Sequence, residues 1–444
     1  MEFSNLFILF LFLPLCVSIY YLVPGTRGRN GVLLVMSLLF YALGDLRALP
    51  LLLVLSLMNY SVALWGNSRR ALLYLCLIVD LGALLLCKLL LTEVPLGLSF
   101  YTFSLIAYVV DVFRKKTVAS ESFLDFLLFV ALFPKLLMGP ILRYETVEKE
   151  LKQREHSPKD IFDGTARFVL GLSKKVLLAD RLYEIYAQLS VQSSNLSAWV
   201  GVFAFMLYIY FEFSGYADMT IGLGRIFGFR FCENFDRPYT ADSVSGFWRR
   251  WHMSLGLFFR DYVYIPLGGN RKGIFRQWGN LFLVWLLTGL WHGFTLPFLL
   301  WGLYFFLILL LEKSGAVYYQ KIPRGIRMAL TQLFVLLGWV IFAAPDGTAL
   351  YYSIMKLFVK GSASPGGAWL VLKNSGILLS LSTLLAFPGP CVGRWLKEKT
   401  DAMKDGKYQI LLTTLFGIVL ILLLVLCTAA LLSGNSKPSM YASF

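Results

Sequence analysis

The sequence predicts an all-α, polytopic integral membrane protein with about eleven transmembrane helices, since each span needs about 20 apolar residues. Three observations predict this class. Hydrophobic residues make up 58% of the 444 residues and the mean hydropathy is +0.68, which is more apolar surface than a soluble protein of this size can bury. Apolar runs of spanning length recur along the chain, and they are continuous rather than alternating, as in helices and not barrel strands. Basic residues gather in the short loops between the runs.

The N-terminal region, residues 1–142, has the pattern of closely spaced spans. Every second loop in it is basic, so the positive-inside rule places these loops in the cytoplasm and the N-terminus outside it. The first run lacks a basic start and a small-residue cleavage site, and we interpret it as a retained span rather than a signal peptide. The spans are expected at 5–24, 31–44 with 47–66, 71–91 and 96–113, and the basic loops lie at 25–30, 67–70 and 114–116.

The rest of the chain changes composition, although we expect one membrane domain throughout. Residues 143–185 carry both charge signs and an apolar face at helical spacing, which predicts cytoplasmic or interfacial helices with a solvated His156. Residues 226–280 are polar and basic yet rich in aromatic side chains, as in re-entrant chain that is buried in protein or lines a cavity. C-terminal spans are expected within 327–433, and the tail at 434–444 should lie outside the cytoplasm.

The net charge of +15 does not indicate a nucleic-acid partner, because the positive-inside rule explains lysines and arginines in short loops. The six cysteines and three histidines are scattered, without a spacing typical of metal ligands. We therefore expect no metal site and no bound cofactor, with the lipid bilayer as the surrounding partner.

One histidine lies in a segment that is otherwise apolar, WLLTGLWHGFTLPFLLWG at 285–302. The imidazole of His292 is costly at membrane depth unless the chemistry uses it or a hydrogen bond satisfies it. Its neutral form suits general-base catalysis near pH 7. A structural histidine bonded to a backbone carbonyl explains the position equally well, so the residue alone leaves both interpretations open.

His252 follows the sequence FWRRW, which places Arg249 and Arg250 just before it. Arginine and aromatic side chains of this kind often anchor a protein at the membrane interface. They also suit a phosphate-bearing or thioester donor at the cytoplasmic mouth, because arginine binds phosphate well. The glycine-rich run YIPLGGNRKG at 264–273 lacks the GxxxxGK[ST] pattern, so we expect a tight turn at a helix end rather than a nucleotide site.

Two acids, Glu212 and Asp218, lie in the apolar run at 210–224. They predict a polar cavity or a buried hydrogen-bond network, and a structural pair accounts for the spacing better than a proton relay does. At the C-terminus, Tyr441 and Phe444 lie in the tail, for which a frayed terminus is the simplest expectation.

Five segments together resemble the bacterial membrane-bound O-acyltransferases, and most of all the branch that O-acetylates alginate. Two residues depart from the family pattern: Glu212 stands where aspartate is usual, and Lys135 where a neutral residue or histidine is usual. Neither departure removes a catalytic part. The segments run in family order over roughly residues 1–310 and are LPLGLSFYTFSLIAYVVDVFR (95–114), FVALFPKLLMGPILR (129–143), YFEFSGYADMTIGLGRIFGFRFCENFDRPY (210–239), FWRRWHMSLGLFFRDYVYIPLGGNRKG (247–273) and TGLWHG (288–293).

The resemblance implies acyl transfer through a tunnel or funnel that crosses the membrane, with the catalytic core at 198–311. The family's hallmark histidine falls on His292, which would take the proton of the acceptor hydroxyl, and a second family histidine falls on His252. A cytoplasmic thioester, acetyl-coenzyme A or an acyl carrier protein, would donate the acyl group for O-acylation of a cell-surface polysaccharide. The residues expected to bind the donor or line the tunnel are Arg249, Arg250, Trp251, Asp261, Asn270 and Asp218.

The resemblance also gives the tail a second interpretation. In some relatives of this family a C-terminal peptide with an aromatic-x-Tyr-x-x-Phe pattern enters the outer funnel. SMYASF at 439–444 is similar to it, with Ser439 and Met440 in place of the bulkier residues before Tyr441. The implied role is a relay. The Tyr441 oxygen would accept the acyl group near His292 and pass it to an extracytoplasmic SGNH-type acyltransferase with a serine nucleophile.

Two alternatives stay open. A teichoic-acid D-alanyl transferase with a carrier-protein donor belongs to a related branch that shares both histidines, and the PLGGNR segment favours the acetyl type over it. A polymer transporter or flippase fits the hydropathy equally well, but it predicts symmetric halves with broken helices, and no such internal symmetry is visible. The expected location in each case is the bacterial cell membrane.

Overall fold

Helices make up the regular structure of the described chain. The computed structural model describes residues 3–65, 69–91, 93–315, 319–359, 365–387 and 406–434. These ranges contain no strand, so the all-α class is confirmed for them.

Seven helical stretches of the described chain are long and apolar enough to cross a bilayer. Two shorter apolar helices, Ile8–Leu22 and Leu98–Phe113, add to them. The chain therefore has the multi-span character that its apolar runs predict, whereas the number of about eleven spans stays a prediction. The seven stretches are Thr26–Trp65, Arg70–Leu90, Asn195–Ile226, Leu296–Ser314, Arg324–Ala343, Gly366–Ala386 and Ile410–Leu432.

The chain forms two compact units, and the first contains residues within 1–172 and 216–233. Its helices are α1 (Leu13–Leu22), α2 (Thr26–Asp45), α3 (Leu49–Trp65), α4 (Arg70–Leu90), α5 (Leu98–Phe113), α6 (Phe123–Ala131), α7 (Phe133–Leu136), α8 (Tyr144–Lys152) and α9 (Pro158–Ser173).

Polar side chains fix helix ends and contacts in this first unit. The Ser122 hydroxyl accepts a hydrogen bond from the Asp125 backbone N–H at 3.2 Å, which caps the N-terminus of α6. The Asn30 amide on α2 donates to the Asp125 carboxylate at 2.8 Å and to the Leu151 carbonyl at 2.9 Å. These bonds join α2 to α6 and α8.

The helices predicted within 143–185 form, but His156 is less exposed than expected. Its Nε2 lies 3.2 Å from the hydroxyl of Tyr20, which donates to the Phe227 carbonyl at 2.8 Å. His156 is half-buried, so the prediction of a solvated His156 is confirmed only in part: Tyr20, 136 positions away, contacts its Nε2.

The second unit contains residues within 173–215 and 234–436. A π-helical segment, Lys174–Ala179, leads into α10, and residues up to 215 of α11 belong to this unit. Its helices are α10 (Asp180–Ser190), α11 (Asn195–Ile226), α12 (Val244–Trp248), α13 (Met253–Phe259), α14 (Ile274–His292), α15 (Leu296–Ser314), α16 (Arg324–Ala343), α17 (Gly347–Phe358), α18 (Gly366–Ala386) and α19 (Gly406–Leu432).

Helices α14 and α15 pack closely because each has a glycine at the contact. An added Cβ on Gly302 would lie 2.5 Å from the Trp285 carbonyl oxygen, and one on Gly289 would lie 2.6 Å from the Phe298 carbonyl oxygen. Small residues permit such close approach of two helix backbones. The contact fixes the last turns of α14, which ends at His292.

The glycine-rich run at 264–273 forms the tight turn that the sequence predicts. Gly268 and Gly269 have positive φ angles of 108° and 56°, which residues with a Cβ rarely adopt. The Gly269 carbonyl accepts a hydrogen bond from the Asn280 side chain at 3.0 Å, so the turn is tied to α14.

Candidate active site

Five of the chain's eleven tryptophans form a connected cluster in the second unit. Trp248 lies against Trp285 and Trp301 at centroid distances of 5.0 and 5.5 Å, and Trp251 lies 5.0 Å from Trp339. A further contact of 6.3 Å between Trp248 and Trp339 joins the two groups. We call this set the tryptophan cluster. Its rings exclude water from the chain segments that carry His252 and His292.

His292 is the last residue of α14, and only 8% of its surface is exposed. Its ring centroid lies 4.5 Å from that of Trp291, 4.9 Å from Phe342 and 5.2 Å from Trp301. Phe298 stacks against it at 5.9 Å. These rings restrict the orientation of the imidazole.

His252 lies in the irregular chain between α12 and α13 and is buried. Its φ and ψ angles of 44° and 55° are left-handed, and a residue with a side chain keeps this conformation only when its neighbours enforce it. Its Nδ1 lies 3.4 Å from Oδ1 of Asn234, and its ring meets Phe213 edge-on at 4.6 Å. Burial lowers the pKa of His252 to about 3, so the imidazole is neutral at pH 7.

The indole of Trp291 contacts both histidines. Its centroid lies 6.1 Å from that of His252 and 4.5 Å from that of His292. The structure therefore brings together the two histidines that the sequence singled out. Sequence reasoning did not select Trp291, although its place directly before His292 was a visible signal.

The residues before His252 differ in their placement. Trp251 is buried in the tryptophan cluster, whereas Arg249 is exposed at the end of α12. Arg250 donates from Nη1 to the Thr240 hydroxyl at 3.1 Å. The Arg249 guanidinium is therefore exposed, whereas a hydrogen bond to Thr240 holds the Arg250 guanidinium.

Glu312 on α15 fixes this segment from the other end of α12. Its carboxylate accepts the backbone N–H of Val244 at 2.6 Å and that of Ser245 at 3.3 Å. A carboxylate at a helix N-terminus satisfies donors that lack a partner inside the helix. No sequence motif pointed to Glu312, because its partners lie almost seventy positions earlier, with |i−j| of 68 for Val244.

Two predicted donor-binding residues, Asp261 and Asn270, lie in the segment after α13. Asp261 is buried and binds Arg260 through both oxygens, at 2.7 and 3.2 Å. Asn270 is exposed in the glycine-rich turn. In the described chain neither residue is among the contacts of His252. Their roles in donor binding stay predictions.

Asp218 belongs to the first unit, where it takes part in an ion network. Arg167 binds its carboxylate through Nε at 3.0 Å and Nη2 at 2.9 Å, and binds Glu233 through Nη1 at 2.6 Å. Tyr441, the predicted relay residue, lies outside the described residues. Tunnel lining by Asp218 and acylation of Tyr441 both stay predictions.

Glu212 lies in a buried ion cluster, in agreement with the buried hydrogen-bond network predicted for this run. The Lys175 ammonium lies 2.9 Å from the Glu212 carboxylate and 2.8 Å from the Asp180 carboxylate. The side chains of Lys175 and Glu212 are fully buried. Burial disfavours the charged lysine, but the two carboxylates outweigh it and hold the pKa of Lys175 above its ordinary value. We call these three residues the ion cluster.

Comparison with known protein families assigns the chain to one of them. In the described chain no three His, Cys, Asp or Glu residues are grouped so as to hold a metal ion. The model of MBOAT, the membrane-bound O-acyltransferase family, matches residues 38–354, a range that contains both histidines and the tryptophan cluster. The chain belongs to the membrane-bound O-acyltransferase family. The resemblance inferred from the sequence motifs is confirmed, and the protein is a multi-pass membrane O-acyltransferase.

Relatives within the family are similar over most of the chain. A probable alginate O-acetylase of Pseudomonas fluorescens is 41% identical over 365 residues, which cover 78% of this chain and 73% of that protein. A peptidoglycan O-acetyltransferase of Helicobacter pylori is 31% identical over 407 residues, covering 78% of this chain and 77% of that protein. A teichoic acid D-alanyltransferase of Bacillus subtilis is 28% identical over 273 residues, covering 56% and 68%. An acyltransferase, and not a transporter without acyl chemistry, is the class these relatives support.

Proposed function

We propose that this O-acyltransferase moves an acetyl group from a cytoplasmic thioester to hydroxyl groups of a cell-surface polysaccharide. The observation that carries the proposal is the contact of one indole, Trp291, with both His252 and His292 inside an aromatic environment. Acetyl is favoured over D-alanyl because relatives named for O-acetyl transfer are 41% and 31% identical, against 28% for the relative named for D-alanyl transfer.

The proposed chemistry needs one base and a dry site. The acceptor hydroxyl attacks the thioester carbonyl carbon, so that a C–O bond forms and the C–S bond breaks. His292 takes the hydroxyl proton during attack, and the departing thiolate receives that proton and leaves as a thiol. A positioned base of this kind contributes about 10²–10⁴-fold to the rate. The rings of Trp301 and Phe342 around His292 keep water from hydrolysing the thioester.

The proposed donor is acetyl-coenzyme A, entering next to His252. The exposed Arg249 suits the phosphate groups of this donor, and Arg250, which Thr240 holds, suits a fixed contact. His252 is neutral and would orient the thioester arm rather than neutralise charge. The donor is a substrate, so the enzyme needs no permanently bound cofactor.

The proposed product path leads through the C-terminal tail. The basic loops at 25–30, 67–70 and 114–116 support a cell-membrane topology with these loops in the cytoplasm and both termini outside it. In this path the hydroxyl that attacks the thioester is that of Tyr441, which forms a tyrosyl ester. The serine hydroxyl of an SGNH-type acyltransferase outside the cytoplasm then attacks this ester, and Tyr441 leaves as the free phenol. An activated ester divides one difficult transfer into two easier steps.

The test uses the purified protein in detergent with acetyl-coenzyme A labelled in the acetyl group. Peptide mapping locates the label in wild type, His292→Ala and Tyr441→Phe. We expect label on Tyr441 in wild type and none in either variant. Two matched controls, His156→Gln and Ser439→Ala, change the third histidine and a tail residue next to the predicted relay, and both should keep the label.

The outcomes separate the parts of the proposal. Acetyl transfer to polysaccharide without label on Tyr441 would reject the relay and retain the reaction. Transfer from a D-alanyl carrier-protein thioester, with none from acetyl-coenzyme A, would replace the acetyl group by D-alanine. Full activity of His292→Ala would reject His292 as the base.

A further inference from the structure

Asn234 is a fully buried amide that contacts three consecutive residues at the start of α13. Its backbone carbonyl accepts the Met253 N–H at 3.0 Å. Its side-chain Oδ1 accepts the Ser254 N–H at 3.1 Å and the Ser254 hydroxyl at 2.9 Å, and lies 3.4 Å from Nδ1 of His252. One residue therefore enforces the left-handed conformation of His252 and the orientation of its ring.

The Ser254 backbone N–H shows which atom of the Asn234 side-chain amide is the oxygen and which is the nitrogen. A backbone N–H can only donate, so the atom that faces it at 3.1 Å is the amide oxygen and not the NH₂ group. An amide oxygen can only accept, so the imidazole nitrogen that faces it carries the hydrogen. In a neutral His252 this hydrogen is on Nδ1, and the lone pair is on Nε2.

The surroundings of His252 keep this lone pair available. Among the described residues Nε2 has no hydrogen-bond partner, and it is buried. The ring contacts Phe213 of α11, Trp291 of α14 and the Asn234 amide. None of these groups titrates, so no neighbouring charge within the described chain draws a proton to the imidazole. A buried acceptor that is left unsatisfied is costly, which favours a group that fills it in the working enzyme.

We infer that Asn234 is a positioning residue that holds His252 in the Nδ1–H tautomer, so that Nε2 accepts a hydrogen bond from a substrate N–H or O–H group. The role in acyl transfer rests on the proposed function, whereas the tautomer is a property of the protein alone. The two histidines then differ in their work: His292 takes the proton of the acceptor, and His252 orients a bound substrate.

Nitrogen NMR tests the tautomer directly, because the chain has only three histidines. Protein labelled with ¹⁵N-histidine in liposomes gives three sets of ring signals, which His156→Gln and His292→Gln assign. We expect a protonated Nδ1 and a bare Nε2 for His252 at pH 7, and loss of this preference in Asn234→Ala. Ser254→Ala keeps the acceptor oxygen and should keep the tautomer. A hydrogen on Nε2 in wild type, or an unchanged tautomer in Asn234→Ala, would overturn the inference.

A double-mutant cycle tests whether Asn234 acts through His252. Asn234→Ala should lower kcat/KM by up to about 10²-fold, the lower end of what a positioned proton-transfer group contributes. In the background of His252→Ala the same change should leave kcat/KM unaltered, because the residue it positions is gone. An equal loss in both backgrounds would show a merely structural role and reject the inference.

Asn234→Asp covers the case in which Asn234→Ala fails to fold. The variant keeps the shape and the acceptor oxygen, so the Nδ1–H tautomer should persist. The added carboxylate favours the imidazolium form, so the pH at which His252 protonates should rise in the NMR titration. No shift in that pH would contradict the contact. If wild type transfers no acyl group, the proposed function fails, while the NMR experiments still decide the tautomer.

Discussion

Two buried ionisable sites of the second unit, the ion cluster and His252, have different surroundings. In the ion cluster, Lys175 is paired with two carboxylates, at 2.9 Å from Glu212 and 2.8 Å from Asp180. His252 instead has one amide oxygen and apolar rings around it, and it stays neutral. A buried cation needs opposite charges to be tolerated at all, so its partners fix structure. A neutral imidazole can accept or donate a proton near pH 7, so it is suited to a role in the reaction.

Helix α11 joins the two sites. Glu212 faces Lys175, and the next residue, Phe213, meets the His252 ring at 4.6 Å. The ion cluster therefore fixes the stretch of helix that presents Phe213 to the histidine. We therefore expect substitutions of the histidines to lower activity more than stability, and substitutions in the ion cluster to lower stability more than activity.

The largest expected effect is on activity in His292→Gln. Loss of the base should lower kcat by about 10²–10⁴-fold, whereas the uncharged replacement should change thermal unfolding little. Acetyl transfer and unfolding are measured on the same detergent preparation. His156→Gln, the matched histidine of the first unit, should leave kcat unchanged. A parallel loss of stability and activity in His292→Gln would place His292 with the structural groups.

Lys175→Met should have the largest effect on stability. Removing the ammonium leaves the carboxyl groups of Glu212 and Asp180 without that cation, which costs about 3–5 kcal/mol for a buried pair. Chemical unfolding in detergent measures the change. Neutralising all three residues, in Lys175→Met with Glu212→Gln and Asp180→Asn, should recover most of the loss. If the triple variant is as unstable as Lys175→Met, charge pairing does not account for the stability of this region.

The sequence predicts these two sites unequally, for physical reasons. His292 stands out because an ionisable residue inside a spanning apolar run is costly, and that cost is visible locally. Lys175 looks like an ordinary charge on an amphipathic helix, because its partner Glu212 is distant in sequence and only the fold brings the two together. Asn234 could not be selected for the same reason: its contact with His252 joins residues 18 positions apart, on either side of α12. Helical spans follow from local composition, whereas long-range polar pairing does not.

The close contact of α14 and α15 provides a smaller, structural test of how His292 is held. Gly302→Ala places a Cβ 2.5 Å from the Trp285 carbonyl oxygen, and overpacking of this kind costs about 1–3 kcal/mol. Gly279→Ala on the same α14 meets nothing within 4 Å and is the matched control, which should be neutral or slightly stabilising. Thermal unfolding compares the two variants. Equal stability would show that α14 and α15 separate easily and that packing does not fix His292.

The smallest expected effect, measured per pH unit, is the pH dependence that burial of His252 creates. Its pKa falls from the ordinary 6.5 to about 3, so below pH 6.5 the unfolded chain binds a proton that the folded one refuses. Stability should therefore fall on acidification from pH 6.5 towards 3, by at most about 1.4 kcal/mol per pH unit from this residue. His252→Asn, which tolerates the left-handed backbone, should flatten the dependence. Burial also lowers the pKa of the half-buried His156, so His156→Gln should flatten it less. If His252→Asn leaves the pH dependence of unfolding intact, the His252 imidazole is already charged in the folded protein. Its surroundings would then stabilise a positive charge, as those of Lys175 do, rather than a neutral ring.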